Sequence, residues 1–450
     1  MNIGINQKKI IDLVSKDLKE IENSDFNSEN SAWAYFALWA RCPGFEKLNY
    51  RLSKGKNIIS LFSLVLKDII SISKQSKFNA HKDLKENKND YENLIVSWAS
   101  RQDFEENGTY CDRYFKINSK NFAHSLFFLI YNDDELPVKI DSNIIILKRI
   151  KYKYKYNLFF LIKYILIKAI SSKFSIKRFF HSTSSYTRLA EVVSNIFREQ
   201  IDLKKIKSII MPYEAQTFQQ AIFLESKKIN KNIVTIGYDH SAPQSIPVHL
   251  YFRKGAPDFL LVNGPSQAKH ISENLNWPKE KIKIVPSARY QKNDNFDFNN
   301  KIFLPYEIFD KKVVLKEFEN FLKNVPKQSL NRLLVKNHPT MKNSTNHLDI
   351  QTNLDKIILQ YEDRFSKEKL SKNISVFIGP TTGAIVALEK ELKVFHICFN
   401  SILESYSEKL WPMLTVNQLS TNMFEYNLKK RGEFILFGEE KNNFQKYYSY

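Results

Sequence analysis

Beyond residue 200 the chain alternates between short apolar runs and amphipathic stretches. Apolar runs at 206–211, 233–238, 259–262 and 282–285 are separated by helical patterns at 216–228 and 266–274. Strands alternating with helices in this way predict βαβ units and a parallel sheet. A polar stretch rich in Asn and Asp, 291–300, then reads as a linker. After it the rhythm restarts, with strands at 302–305, 333–336, 374–378 and 394–398 and helices at 311–323, 350–365 and 382–390. The expected fold is therefore α/β, with two Rossmann-like domains facing across a cleft. The first third is weaker in pattern: amphipathic helices are expected at 6–23 and 57–74, and a short buried strand at 143–147. A dense aromatic and charged passage, Ser97-Trp98 to Asp112-Arg113-Tyr114-Phe115, suits a loop that binds an acceptor, and suits an ordinary packed loop almost as well. The domain division that follows is 1–290 with a helical insertion near 148–200, then 301–410. A helical tail, 411–450, is expected to pack back on the first domain.

Composition narrows the class. The chain has 450 residues, enough for two or three domains. Its 34 Phe and 22 Tyr argue against disorder, and three scattered cysteines cannot staple a chain of this size. The net charge is +20, and Lys, Asn and Ile are abundant enough that part of the excess is compositional. Residues 148–180 nonetheless carry ten basic side chains and no acidic one, interleaved with nine aromatics. Lys163 and Lys168 interrupt the apolar runs, so this segment is not expected to span a bilayer. Three readings stay open: a core helix with solvated lysines, a helix lying on an anionic membrane, or a nucleic-acid groove. The first twenty residues lack the apolar core of a signal peptide.

Four constellations could carry chemistry, and each follows an expected strand. The first is Gly379-Pro380-Thr381-Thr382-Gly383, a turn that sets two hydroxyls at the start of a helix. Free N–H groups there suit an anion, although a Thr that only caps the helix would look the same. The second is Lys336-x-His338-Pro339, which delivers a cation and an imidazole to the carboxyl end of a strand, where doubly wound sheets bind ligands. The third is Glu214-Ala215-Gln216, whose carboxylate suits a general base on an acceptor hydroxyl or simply complements a helix start. The fourth is Asp239-His240-Ser241, which faces the same cleft and suits binding of acceptor or donor. No Gly-x-Ser-x-Gly elbow, Walker loop, Gly-x-Gly-x-x-Gly, zinc spacing or Asp-x-Asp triplet occurs, so a site without metal is the economical reading.

These residues resemble those of GT-B glycosyltransferases of bacterial surface-polysaccharide assembly. The resemblance is to enzymes that use CMP-activated 3-deoxy-ulosonic acids, the sialyl-, polysialyl- and Kdo-transferases. It covers roughly residues 205–400, and the acidic pair expected in sialyltransferases is replaced here by Glu214-Ala215. What the resemblance implies is an inverting transfer to a hydroxyl of a glycan such as lipopolysaccharide or capsule. Glu214 would be base, with Asp239 the alternative. His338, Lys336, Pro339 and residues 379–383 would grip the donor phosphate, and Gln216, Asp239, His240 and Ser241 would line the acceptor side. The implied donor is a CMP-activated sugar, with no cofactor and no metal. The partners would be that donor and a glycan or lipid-linked acceptor, with no nucleic acid. The implied place is the cytoplasm, with peripheral contact at the inner face of the membrane through 148–180. A CDP-glycerol-type polyol-phosphate transferase and a UDP-sugar transferase are the alternatives. A basic nucleic-acid-binding protein is the reading from a different class, though it leaves His338-Pro339 and the 379–383 turn unexplained.

Overall fold

The computed structural model describes residues 2–22, 76–82, 91–151, 158–171, 185–294, 296–338, 341 and 343–439. The helix expected at 57–74 lies outside them, as does Pro339. The first sheet is built from β1 (Ser76–Lys82), β2 (Asn93–Ala99), β5 (Ser125–Tyr131), β6 (Ile144–Lys151), β7 (Ser208–Pro212), β8 (Val234–Tyr238), β9 (Phe259–Val262) and β10 (Ile282–Ile284). The two-residue strands β3 (Cys111–Asp112) and β4 (Ile117–Asn118) form a small hairpin after β2. The strand order is β1-β6-β5-β2-β7-β8-β9-β10, parallel throughout except for the β1 edge.

Two central strands depart from expectation. The runs Asn-Leu-Ile-Val-Ser-Trp-Ala and Ser-Leu-Phe-Phe-Leu-Ile-Tyr form β2 and β5, and all seven residues of β5 are buried. A strand covered on both faces shows no alternation of polar and apolar residues, so periodicity alone does not find it. The passage 97–115 is accordingly part strand and part loop, because Ser97 and Trp98 belong to β2. Likewise Lys148 to Lys151 complete β6, and the described helix of the basic segment is Leu158–Ser171.

The second sheet comprises β12 (Lys301–Phe303), β13 (Leu334–Lys336), β14 (Ile374–Ile378), β15 (Lys393–Ile397), β16 (Leu414–Gln418) and β17 (Met423–Leu428). It is ordered β13-β12-β14-β15-β17-β16. The first four are mutually parallel, and β17 and β16 add an antiparallel hairpin against β15. The expected α/β class, with two Rossmann-like units, is thus the one found. Among the described residues the helical tail is not found. Residues 414–418 and 423–428 are strand because β15 offers an open edge and Val416, Phe424 and Tyr426 bring the side chains that pack on a sheet.

The chain then returns to the first unit. β11 (Ser287–Gln291) pairs with β18 (Phe437–Gly438), and the Leu436 amide donates to the Asn263 carbonyl. The opposite end of the chain is tied across as well. Gln7, in the amphipathic helix Ile3–Glu22, is fully buried, and its amide donates to the carbonyls of Ile402 and Ser405 at 2.9 and 2.7 Å. Segment 434–438 passes so close to Gly264 that a Cβ there would sit 2.3 Å from the Phe434 carbonyl oxygen. Gly264→Ala is therefore expected to destabilise the protein by about 1–3 kcal/mol, the usual range for overpacking. Its urea midpoint should fall with little change in slope.

Candidate functional site

Three adjacent parallel strands, β2, β7 and β8, place their carboxyl ends side by side, and the residues that follow them form the first half of the site. After β7 the chain turns sharply through Tyr213-Glu214-Ala215-Gln216 into the helix Thr217–Ile229. Ala215 takes φ +49°, a left-handed backbone that costs a side-chain-bearing residue energy and persists only when its surroundings impose it. Gln219 imposes it here. Its buried side-chain oxygen accepts from the amides of Glu214 and Gln216 at 3.1 and 2.9 Å, and its NH₂ donates to the Pro212 carbonyl. The Glu214 side chain stays 37% exposed, and Gln216 donates to one of its oxygens at 2.7 Å.

His240, from the turn after β8, brings Nε2 to 3.8 Å from the other Glu214 oxygen and packs edge-on to Tyr114 at 4.6 Å. Burial pulls its pKa down to about 4; the Glu214 charge opposes that and Arg289 reinforces it. The ring is therefore neutral near pH 7, and its approach to Glu214 is not an ion pair. Asp239 faces inward: Gln267 donates to it at 2.6 Å, and burial, helped by the Glu214 charge, pushes its pKa up to about 8. An inward carboxyl that holds its proton at neutral pH is a poor alternative to the exposed Glu214 as base. Ser241 stands half-buried beside it, its carbonyl 3.5 Å from the Asn263 amide. Tyr114 and Arg289 join this cluster without having been singled out as site residues. The dense aromatic passage after Trp98 was the one signal for Tyr114.

The second half lies at the carboxyl ends of β13, β12 and β14, again neighbours. Lys336 ends β13 exposed. His338 is half-buried with its ring edge-on to Tyr306 at 5.5 Å. Burial, and next the nearby His347, lower the His338 pKa. His347 also braces the loop after β12, its Nε2 lying 2.9 Å from the Pro305 carbonyl. Pro305 in turn backs onto Gly379, where φ is +65° and a Cβ would stand 2.5 Å from the Phe399 ring. Only glycine fits that turn. Thr381 Oγ1 accepts from the Gly383 amide at 3.1 Å, so it does cap the helix Gly383–Glu389, while its hydroxyl proton stays free to donate. At seven residues this helix is shorter than the sequence pattern suggested, and Thr382 at its N-cap makes no capping bond through its side chain.

The Gly379 carbonyl is held from beneath by His396, whose Nε2 is 2.7 Å away. A carbonyl only accepts, so Nε2 carries the proton; burial holds the ring neutral, with a pKa near 4. His396, Cys398 and Glu404 are the group among the described residues whose ligand atoms all lie within 4.8 Å of one another. All three are buried under the turn, so a metal held there would be structural and not exposed to a substrate.

The two halves are joined through the segments that leave the carboxyl ends of β8 and β15. Ser245 donates to the Leu403 carbonyl, Tyr406 to the Pro243 carbonyl at 2.8 Å, and Trp411 to the Ser245 carbonyl at 2.9 Å. Glu214, Gln216, Asp239, His240 and Ser241 are thus brought together on one edge, and Lys336, His338 and residues 379–383 on the other. A depression of about 600 Å³ lined by Tyr91, Glu92, Lys204, Lys207, Asn230 and Asn232 lies at the opposite, amino-terminal ends of β2, β7 and β8.

No family model matches this chain, and no curated protein matches it. Among solved structures it is similar to the apo form of WaaB, a lipopolysaccharide outer core galactosyltransferase, at 10% identity and a TM-score of 0.30. That comparison covers 67% of this chain and 79% of the other.

The buried groups make a pH prediction. His240, His270 and His396 are each held near 4 by burial, against an ordinary 6.5. Between those values the unfolded chain takes up protons that the folded chain refuses, so stability rises with pH. Asp239 has the opposite sign: unfolded it ionises above about 3.8, folded it keeps its proton to about 8, so it erodes stability across that range. The three histidines set the slope below pH 6.5; above it the slope follows Asp239, whose sign Asp112, Asp355 and Glu389 share because burial raises them too. The thermal midpoint should climb from pH 4 to about 6.5 and then decline toward pH 8. Asp239→Asn should flatten the alkaline decline.

Proposed function

We propose that this protein is a glycosyltransferase of the GT-B type that transfers a sugar from a nucleotide-activated donor to an acceptor hydroxyl with inversion. The observation that carries the reading is the placement of Glu214. It is a half-exposed carboxylate held by a clamped, strained turn, on a sheet edge joined to the edge that carries His338 and the 379–383 turn. The acceptor hydroxyl gives its proton to Glu214 while its oxygen bonds to the anomeric carbon. The bond from that carbon to the phosphate oxygen breaks, and the electron pair leaves with the phosphate. Lys336 meets the growing charge as a fixed cation, and the Thr381 and Thr382 hydroxyls donate to it. His338 is held below its ordinary pKa in the free protein and would gain a proton as the phosphate arrives. Stabilising charge where it develops is usually the largest catalytic term.

Within this reading the donor is a CMP-activated 3-deoxy-ulosonic acid and the acceptor a surface glycan of the lipopolysaccharide or capsule kind. Support for the finer assignment is the Lys336-x-His338-Pro339 and Gly379-Pro380-Thr381-Thr382 pair. The acceptor side would be lined by Gln216, His240, Ser241 and Tyr114, with neutral His240 able to donate or accept a hydrogen bond to a sugar hydroxyl.

Glu214→Gln is expected to lower turnover by about 10²-fold or more with the fold intact. His338→Ala should lower it by about 10²-fold. Retention of full turnover by either variant removes that residue's role. A thermal-shift titration with CMP, CDP and UDP should show the largest rise for CMP. A larger rise for CDP moves the assignment to polyol-phosphate transfer, and for UDP to a neutral-sugar donor.

A further inference from the structure

The described side chains of the helix Leu158–Ser171 that meet the body lie along one side. Ile165 packs against the core of the first unit, and Lys168 pairs at 3.1 Å with Glu191 of the helix Ser185–Gln200. At 3.6 residues per turn, Ile165, Lys168 and Ala169 share the inward arc. Ile162, Lys163, Leu166, Ile167 and Ile170 share an outward arc roughly 140° wide. The four aliphatic side chains on that arc are 48%, 55%, 53% and 64% exposed for Ile162, Leu166, Ile167 and Ile170. Scattered surface aliphatics need no explanation, but four contiguous ones on one helix face mark an interaction site.

We propose that this face docks on an anionic lipid bilayer, with the four aliphatic side chains entering the boundary between headgroups and acyl chains. Charge complementarity selects this occupant: Lys163 stands exposed within the arc, and the surrounding sequence, residues 148–180, carries ten cations and no carboxylate, although Lys168 among them is already paired with Glu191. At 14 residues the helix is about 21 Å long, short of the ~30 Å hydrocarbon layer. No helix among the described residues is long and apolar enough to cross a membrane. The helix therefore lies in the interface plane. Nucleic acid fits this face less well, because bases stack on flat rings and the described outward side chains are branched aliphatics and one lysine. The inference is independent of the chemistry assigned to the cleft.

The test is co-sedimentation of the full chain with vesicles of phosphatidylcholine alone and of phosphatidylcholine mixed with phosphatidylglycerol. Binding to the mixed vesicles alone is expected, weakening with salt. Leu166→Glu/Ile170→Glu should reduce it by about tenfold or more, and Ile167→Ser by less. Val138→Glu, at a 90% exposed position elsewhere, should bind as wild type does and serves as the control. All these side chains are exposed, so thermal midpoints should be unchanged; if that of the double variant drops, Ile167→Ser decides. Failure of the wild type to sediment with mixed vesicles, or undiminished binding by the outward-face variants, overturns the proposal. So does retention of single-stranded RNA in place of vesicles.

Discussion

Trp411 occupies the joint between the two sheets, and the candidate site depends on that joint. Its ring is fully buried and stacks on His270 at 4.3 Å with only 13° between planes. Phe434 and Tyr406 close around it at 5.5 and 6.2 Å, and its N–H holds the loop that follows β8. His270 belongs to the first unit, Tyr406 to the second, and Phe434 to the returning tail. One side chain thus packs all three together. Truncating a fully buried tryptophan to alanine costs about 3–5 kcal/mol in general. Here the loss would also release the loop carrying Asp239, His240 and Ser241 from the segment after β15. A rigid joint would matter for the proposed reaction, which needs groups of both sheet edges in register, since a misplacement of about 1 Å costs on the order of 10²-fold in rate.

Each half of the candidate site follows the same plan: solvent-accessible polar groups on a backbone held by buried neutral ones. Glu214 is exposed, while Gln219 beneath it is sealed in and spends both ends of its amide on the turn. Thr381 and Thr382 are half-exposed, while His396 beneath Gly379 is buried and uncharged. Placing neutral donors and acceptors below the surface avoids the desolvation cost of a buried charge. It also leaves the formal charges of Glu214 and Lys336 at the solvent-facing side of the candidate site.

Much of this was legible in the sequence where chemistry and periodicity coincide. Strand ends that run into Pro-Tyr-Glu, Lys-x-His-Pro or Gly-Pro-Thr-Thr mark the carboxyl ends of β7, β13 and β14, because turn residues punctuate the pattern there. The tail showed no such punctuation, and its hairpin depends on the open edge of β15, a partner remote in sequence. Strands β2 and β5 escaped for the opposite reason, being apolar on both faces. Gln219 and Arg289 were hidden because their placement is set by tertiary approach, and Tyr114 stood out only as one member of a dense aromatic passage. A glutamine in the first turn of a helix looks like any other until the backbone it grips is seen.

The ties across the molecule also bear on how the chain is made. Gln7 bonds to partners 395 and 398 positions later, and β11 of the first unit finds its partner strand only in Phe437 and Gly438. During synthesis the opening helix therefore emerges long before the segment that buries it. Contacts this remote in sequence form slowly, since loop closure must precede them. Until residues 402–438 are made, the first unit has this amphipathic helix uncovered and β11 without its partner strand.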